Sequence, residues 1–109
     1  MPNISSSLSG ALDTSSLTST NITVANVSIA SANTEYSYAF PSGTKGFAFQ
    51  NRDTGLVKWS FTASESGTTY WSLFPGQPFS KELITSTATL TLYFQSPKAS
   101  QTLEVVSWN

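Results

Sequence analysis

The sequence predicts an all-β fold: a small antiparallel β-sandwich of jelly-roll type, with seven or eight strands and an extended N-terminal arm. Three observations predict it. From Asn21 onward, runs rich in β-branched and aromatic residues alternate with polar ones at period two. Clusters of Gly, Pro, Asn, Asp and Ser interrupt these runs about every ten residues. No stretch beyond residue 20 carries a convincing helical period.

Residues 1–20 form the arm and residues 21–109 the β domain. The arm contains seven Ser and three Thr among its twenty residues and no aromatic side chain, so it cannot build a core of its own. Ile4, Leu8, Leu12 and Leu17 recur at spacings of four, four and five, which a helix gathers on one face. Gly10 and the hydroxylic residues oppose a long helix. The balance predicts an extended segment with one helical turn around Leu8–Asp13, its aliphatic residues available for a subunit contact.

Within the β domain, NITVANVSIA (21–30) opens with Ile22 and Val24 in phase and then shifts to Val27 and Ile29, which predicts a bulge near Ala25–Asn26. EYSYAF (35–40) places Tyr36, Tyr38 and Phe40 on one face, and PSG turns the chain into TKGFAFQN (44–51), where Phe47 and Phe49 share a face. RDTG (52–55) supplies the next turn. LVKWSFTA (56–63) sets Val57, Trp59 and Phe61 against Lys58, Ser60 and Thr62, a strand dry on one side and wet on the other. ESGT (65–68) leads into TYWSLF (69–74), PGQP (75–78) ends that strand, and FSKELI (79–84) reads as a short edge segment. ATLTLYFQS (88–96) and QTLEVVSW (101–108) close the chain, and the tight PKAS connection between them predicts a hairpin. The expected core is Tyr38, Phe40, Phe47, Phe49, Trp59, Phe61, Leu73, Leu90, Leu92, Phe94, Leu103 and Val105. Each aromatic buried there contributes about 2–3 kcal/mol.

Composition narrows the function classes. The 109 residues contain no Cys and no His, five Lys+Arg, six Asp+Glu, and 35 Ser and Thr; only 10% are charged. Lacking Cys, the chain has no disulfide, thiolate metal site or Cys nucleophile; lacking His, it has no imidazole base or ligand. Serines are plentiful, but a serine nucleophile needs a base held by a third group. The acids Asp13, Glu35, Asp53, Glu65, Glu82 and Glu104 are well separated. Asp53 and Glu65 would be the candidate glycosidase-type dyad, although solvation of turn residues accounts for both. There is no D-x-D-x-D-G loop, so neither a metal nor another cofactor is expected. A net charge of −1 with scattered cations argues against nucleic acid as a partner. No apolar run approaches the roughly 20 residues of a membrane span, and the N-terminus shows no signal-peptide pattern, so no membrane partner is expected. N-x-S/T tripeptides at Asn3, Asn21 and Asn26 match the glycosylation pattern by chance in so hydroxylic a chain.

Tyr70, Trp71, Phe74 and Trp108 exceed what one small core needs. They are the candidate surface contacts, either filling a protein interface or forming a platform on which sugar rings stack.

The text from Pro41 to Trp108 resembles a group of small virion structural proteins of tailed bacteriophages. The pieces that carry the resemblance are a P-x-G-T-K turn (Pro41–Lys45), a strand ending in Q-N/A-R (Phe47–Arg52) and a V-x-W/Y-S/A-F strand (Val57–Phe61). A Y-x-x-L-x-x-G-x-x-Y/F segment (Tyr70–Phe79), L-Y-F-x-S (Leu92–Ser96) and a closing V-E-V-x-x-W (Leu103–Trp108) complete it. The resemblance covers about two thirds of the chain; residues 1–34 have no counterpart in it. Such groups are similar to capsid decoration, or cement, proteins. That implies a non-enzymatic protein made in the bacterial cytoplasm, a homo-oligomer (dimer or trimer) bound to the major capsid protein on the outside of the virion. The alternatives are a carbohydrate- or receptor-binding module and a tail or neck component of the same particle.

Overall fold

A computed structural model describes residues 21–87 and 89–109; the arm with Ile4, Leu8, Leu12 and Leu17, and the turn expected at Leu8–Asp13, lie outside the described residues. Eight strands occur among the described residues: β1 (Ile22–Ile29), β2 (Tyr36–Ala39), β3 (Thr44–Asn51), β4 (Val57–Ser60), β5 (Trp71–Leu73), β6 (Phe79–Thr87), β7 (Thr91–Gln95) and β8 (Gln101–Trp108). They form two four-stranded sheets, the first ordered β1-β8-β3-β6 and the second β2-β7-β4-β5. Each of the first four strands pairs antiparallel with one of the last four: β1 with β8, β2 with β7, β3 with β6, β4 with β5. This is one long hairpin rolled over on itself, the double-stranded β-helix or jelly roll that the strand spacing predicted.

The core follows from alternation. Side chains on successive strand positions face opposite ways, so Phe47 and Phe49 of β3, Val57 and Trp59 of β4, Leu92 and Phe94 of β7, and Leu103 and Val105 of β8 all turn inward and are buried. Ile29, Phe40 and Leu73 complete the buried cluster, with Tyr38 and Leu90 packed at its margin. Aromatic rings run through it in contact: Phe40 on Phe47 at 4.7 Å, Trp59 edge-on to Phe49 at 5.1 Å and Trp59 against Phe79 at 4.8 Å. Such pairs add about 0.5–1.5 kcal/mol beyond the area they bury.

Four expectations are corrected. β1 has no bulge: Ile22–Ile29 pair residue for residue with Trp108–Gln101, because β8 offers an unbroken row of partners and a bulge would forfeit ladder bonds. Thr23, Ala25, Val27 and Ile29 therefore share the inner side, and Ile22 and Val24 face out. The strands joined by PKAS are not a hairpin, since β7 belongs to the second sheet and β8 to the first. The connection is a corner, held to the β1–β2 loop by Asn33 N–H to Ser96 O (2.7 Å) and Ser100 N–H to Ala30 O (3.3 Å), with Ser100 at φ 60°. Phe61 lies past the end of β4 and is 38% exposed, covering Phe47 and Trp59 from outside rather than filling the core. The edge strand after PGQP is not short, extending from Phe79 to Thr87.

Polar side chains secure the loops. Asn51 and Gln101 are buried together beneath the β3–β4 turn. Gln101 Oε1 accepts from Gly55 N–H (2.7 Å) and from Asn51 Nδ2 (3.1 Å), while Asn51 Nδ2 also donates to Gly55 O (2.6 Å). Asp53 accepts from the Thr102 amide at 2.9 Å, closing the turn onto β8. Because each buried group has a partner, the knot contributes rigidity instead of a desolvation cost.

Candidate functional site

Three acids of the domain, Glu35, Asp53 and Glu104, are engaged in structure. Glu35 receives the Ser64 amide (2.8 Å), the Ser66 amide (3.1 Å) and the Ser66 hydroxyl, which draws the β4–β5 loop back over the outer side of the second sheet, onto Gln95. The Ser66 hydroxyl, followed by the two amides, holds the Glu35 carboxyl below its usual range against the opposing effect of burial. Glu104 accepts from Arg52 Nε at 2.8 Å and from Gln50 Nε2 at 2.9 Å, and these bonds lower its pKa too. Asp53 and Glu65 sit in different loops, and Asp53 is committed to Thr102. Among the described residues no group of three or more Asp or Glu converges as a metal site would require.

Two regions of the surface are apolar. The outer side of the first sheet carries three rows set by register: Ile22–Trp108–Gly46, Val24–Val106–Ala48, and Asn26–Glu104–Gln50. Trp108 lies flat across its row, because Gly46 has no side chain; a Cβ there would fall 2.4 Å from the indole ring. Ile22 and Val24 are 66% and 69% exposed at the outer strand of that row pattern. A shallow groove of about 410 Å³ runs over Val24, Ala48 and Val106 toward Pro78 and Glu104. The first two rows are apolar across β1, β8 and β3 and meet Glu82 and Ser80 on β6, and the third ends beside the Arg52–Glu104 pair.

The second apolar region is β5. Trp71 and Phe74 are 67% and 56% exposed. Trp71 stands opposite the buried Trp59 in register, yet stays exposed because β5 is an edge strand, with no strand on its far side among the described residues. Tyr70, just before β5, lies under the Lys58 ammonium at 5.0 Å from its ring centroid, a cation–π contact on the outer side of the second sheet.

Tyr70, Trp71, Phe74 and Trp108 therefore do not form one platform. Trp108 belongs to the outer side of the first sheet, Tyr70 to that of the second, and Trp71 and Phe74 to the β5 edge. The sequence reading put Ile22 and Val24 in phase ahead of a bulge and named neither as a surface contact. The unbroken alternation of Thr23, Ala25, Val27 and Ile29 was the signal that places them outside.

The domain is thus a jelly roll with two exposed apolar regions, in which Glu35, Asp53 and Glu104 serve the structure. No protein-family model and no curated protein matches the chain. Among solved structures it is similar to a de novo designed double-stranded β-helix determined by solution NMR, at 20% identity, covering 83% of this chain and 100% of that one, with a TM-score of 0.50. At that identity the likeness shows the fold alone.

Proposed function

We propose that this protein is a non-enzymatic virion component that binds the outside of a phage capsid and stabilises contacts between major capsid subunits. The observation that carries the reading is the exposure of Trp71 and Phe74, large rings that lie on and just past a three-residue edge strand. Exposed aromatic area in a protein with only 10% charged residues suits docking by apolar contact and neutral hydrogen bonds, with few ions to desolvate. The strand text from Pro41 to Trp108 supports the same reading through its resemblance to decoration proteins. Bound at many equivalent places, modest contacts stabilise a shell because the assembled state alone presents them.

Co-sedimentation of the purified protein with shells of the major capsid protein tests this. The wild type pellets with shells, and Trp71→Ala/Phe74→Ala remains folded but stays in the supernatant. Removal of residues 1–20 likewise abolishes pelleting if the arm contributes its aliphatic contacts. A copy number per virion comparable to that of the major capsid protein is expected; a handful per particle would point to the tail or neck instead. The second reading, a carbohydrate-binding module, is favoured by the open Trp71 ring. Glycan-array binding that Trp71→Ala removes, without capsid binding, would establish it in place of decoration.

A further inference from the structure

Two sheets of four strands have four edges, here β1, β6, β2 and β5. Edge strands present unpaired backbone groups, and proteins that stay apart blunt them with brevity, charge, proline or bulges. Three of the four edges carry such devices. β2 and β5 are four and three residues long, and Pro41 and Pro75 follow closely after them. β6 begins after Pro78, carries Lys81 and Glu82, and is offset from β3 by a register shift between Thr44 and Gly46.

β1 carries none of them. It is eight residues long, regular along its whole length, and residues 21–30 include no charged residue and no proline. Among the described residues no strand lies on its free side. Ile22 and Val24 stand exposed beside that edge.

We propose that β1 is an assembly edge, pairing antiparallel with β1 of a second copy so that the two first sheets become one continuous eight-stranded sheet. The chemistry favours a second copy over an unlike partner. An uncharged strand meets itself without like-charge repulsion, whereas nothing on this edge provides a charge for a foreign strand to complement. Two-fold pairing also fits the alternation. In a register such as Ala25 opposite Ala25 of the second copy, outward residues meet outward ones, and Val24 stands beside Asn26 of the second copy with the two Val24 side chains on the adjacent diagonal. The exposed Ile22 and Val24 are then flanked on both sides, and the row Val24–Val106–Ala48 continues across the dyad. Inside, Thr23, Ala25, Val27 and Ile29 extend the same inner row. The inference is independent of which surface the protein decorates.

Sedimentation velocity of the full chain from about 1 μM to about 1 mM tests it. The wild type shifts from monomer to dimer within that range. Val24→Lys and Val24→Glu, placed at an exposed position and folded by far-UV circular dichroism, each weaken association by about tenfold or more. An equimolar mixture of the two variants restores it, because opposite charges then lie on adjacent diagonal positions across the dyad. Amide hydrogen exchange within residues 22–29 slows as the wild-type concentration rises. A wild type that stays monomeric throughout overturns the proposal, as does a dimer that both variants leave unchanged. Concentration-independent protection of residues 22–29 in the monomer also overturns it, since the edge would then be covered within one chain.

Discussion

Gly46→Ala isolates the contact that flattens Trp108 against the first sheet. A Cβ at residue 46 would sit 2.4 Å from two indole carbons and 2.5 Å from Nε1. Carbon atoms in good contact stand about 3.5–4.0 Å apart, so the ring must lift by more than about 1 Å. Trp108 is half-buried, and releasing it forfeits on the order of 1–2 kcal/mol of buried apolar area. Replacing glycine inside a strand returns about 0.5–1 kcal/mol through a less flexible unfolded chain. Gly46→Ala is therefore expected to destabilise by up to about 1.5 kcal/mol, a fall in Tm of up to about 10 °C for a domain of this size. In a Trp108→Ala background the obstruction is gone, and the same substitution should stabilise by about 0.5 kcal/mol or more. Urea denaturation followed by far-UV circular dichroism measures all four corners of the cycle without relying on fluorescence shared with Trp59 and Trp71. Equal destabilisation by Gly46→Ala in both backgrounds would refute the close approach of ring and backbone.

Three further outcomes are expected. Gln101→Ala orphans the Gly55 N–H and one bond of Asn51 Nδ2, so it should cost about 2–4 kcal/mol in urea denaturation, with exchange of the residue 51–55 amides accelerated. Glu35 has a folded pKa below its ordinary 4.5, so its contribution is present above that value and is lost as pH falls through the lower, folded one. Stability measured from pH 6 to about pH 2.5 should fall on the acid side, and Glu35→Gln should flatten that limb and loosen residues 64–67 in hydrogen exchange; an unchanged limb would show that the carboxylate does not hold the loop. Trp71→Ala and Phe74→Ala remove exposed rings, so each should shift stability by less than about 1 kcal/mol while reducing shell binding; a large loss of Tm would mean that these rings serve the fold.

Much of the fold was legible because strand periodicity is local. Phe47 with Phe49, Leu92 with Phe94, and Leu103 with Val105 announce their inward sides within five residues, and Gly, Pro and Asn mark the breaks between strands. The site was less legible. The abundance of aromatics showed that some must reach the surface, but not that Trp108 rests on a glycine, that Tyr70 meets Lys58, or that Phe61 escapes the core just past β4. Each of those outcomes depends on a neighbour distant in the chain: Gly46 lies 62 positions before Trp108.

By itself, then, the sequence determined an all-β domain, its strands, most of its core, and a surface without thiol, imidazole or dense charge. Tertiary structure decided the rest. PKAS reads alike as a hairpin or as a corner, and the pairing of β8 with β1 and β3, with the Asn33–Ser96 and Ser100–Ala30 bonds, takes it to the opposite sheet. NITVANVSIA permits either phase, and the unbroken ladder with β8 selects the one that exposes Ile22 and Val24. A period of two fixes which residues share a side but carries no information about the strand that side will meet. Long-range hydrogen-bond pairing supplies that information, and so it also decides which strand is left as an open edge.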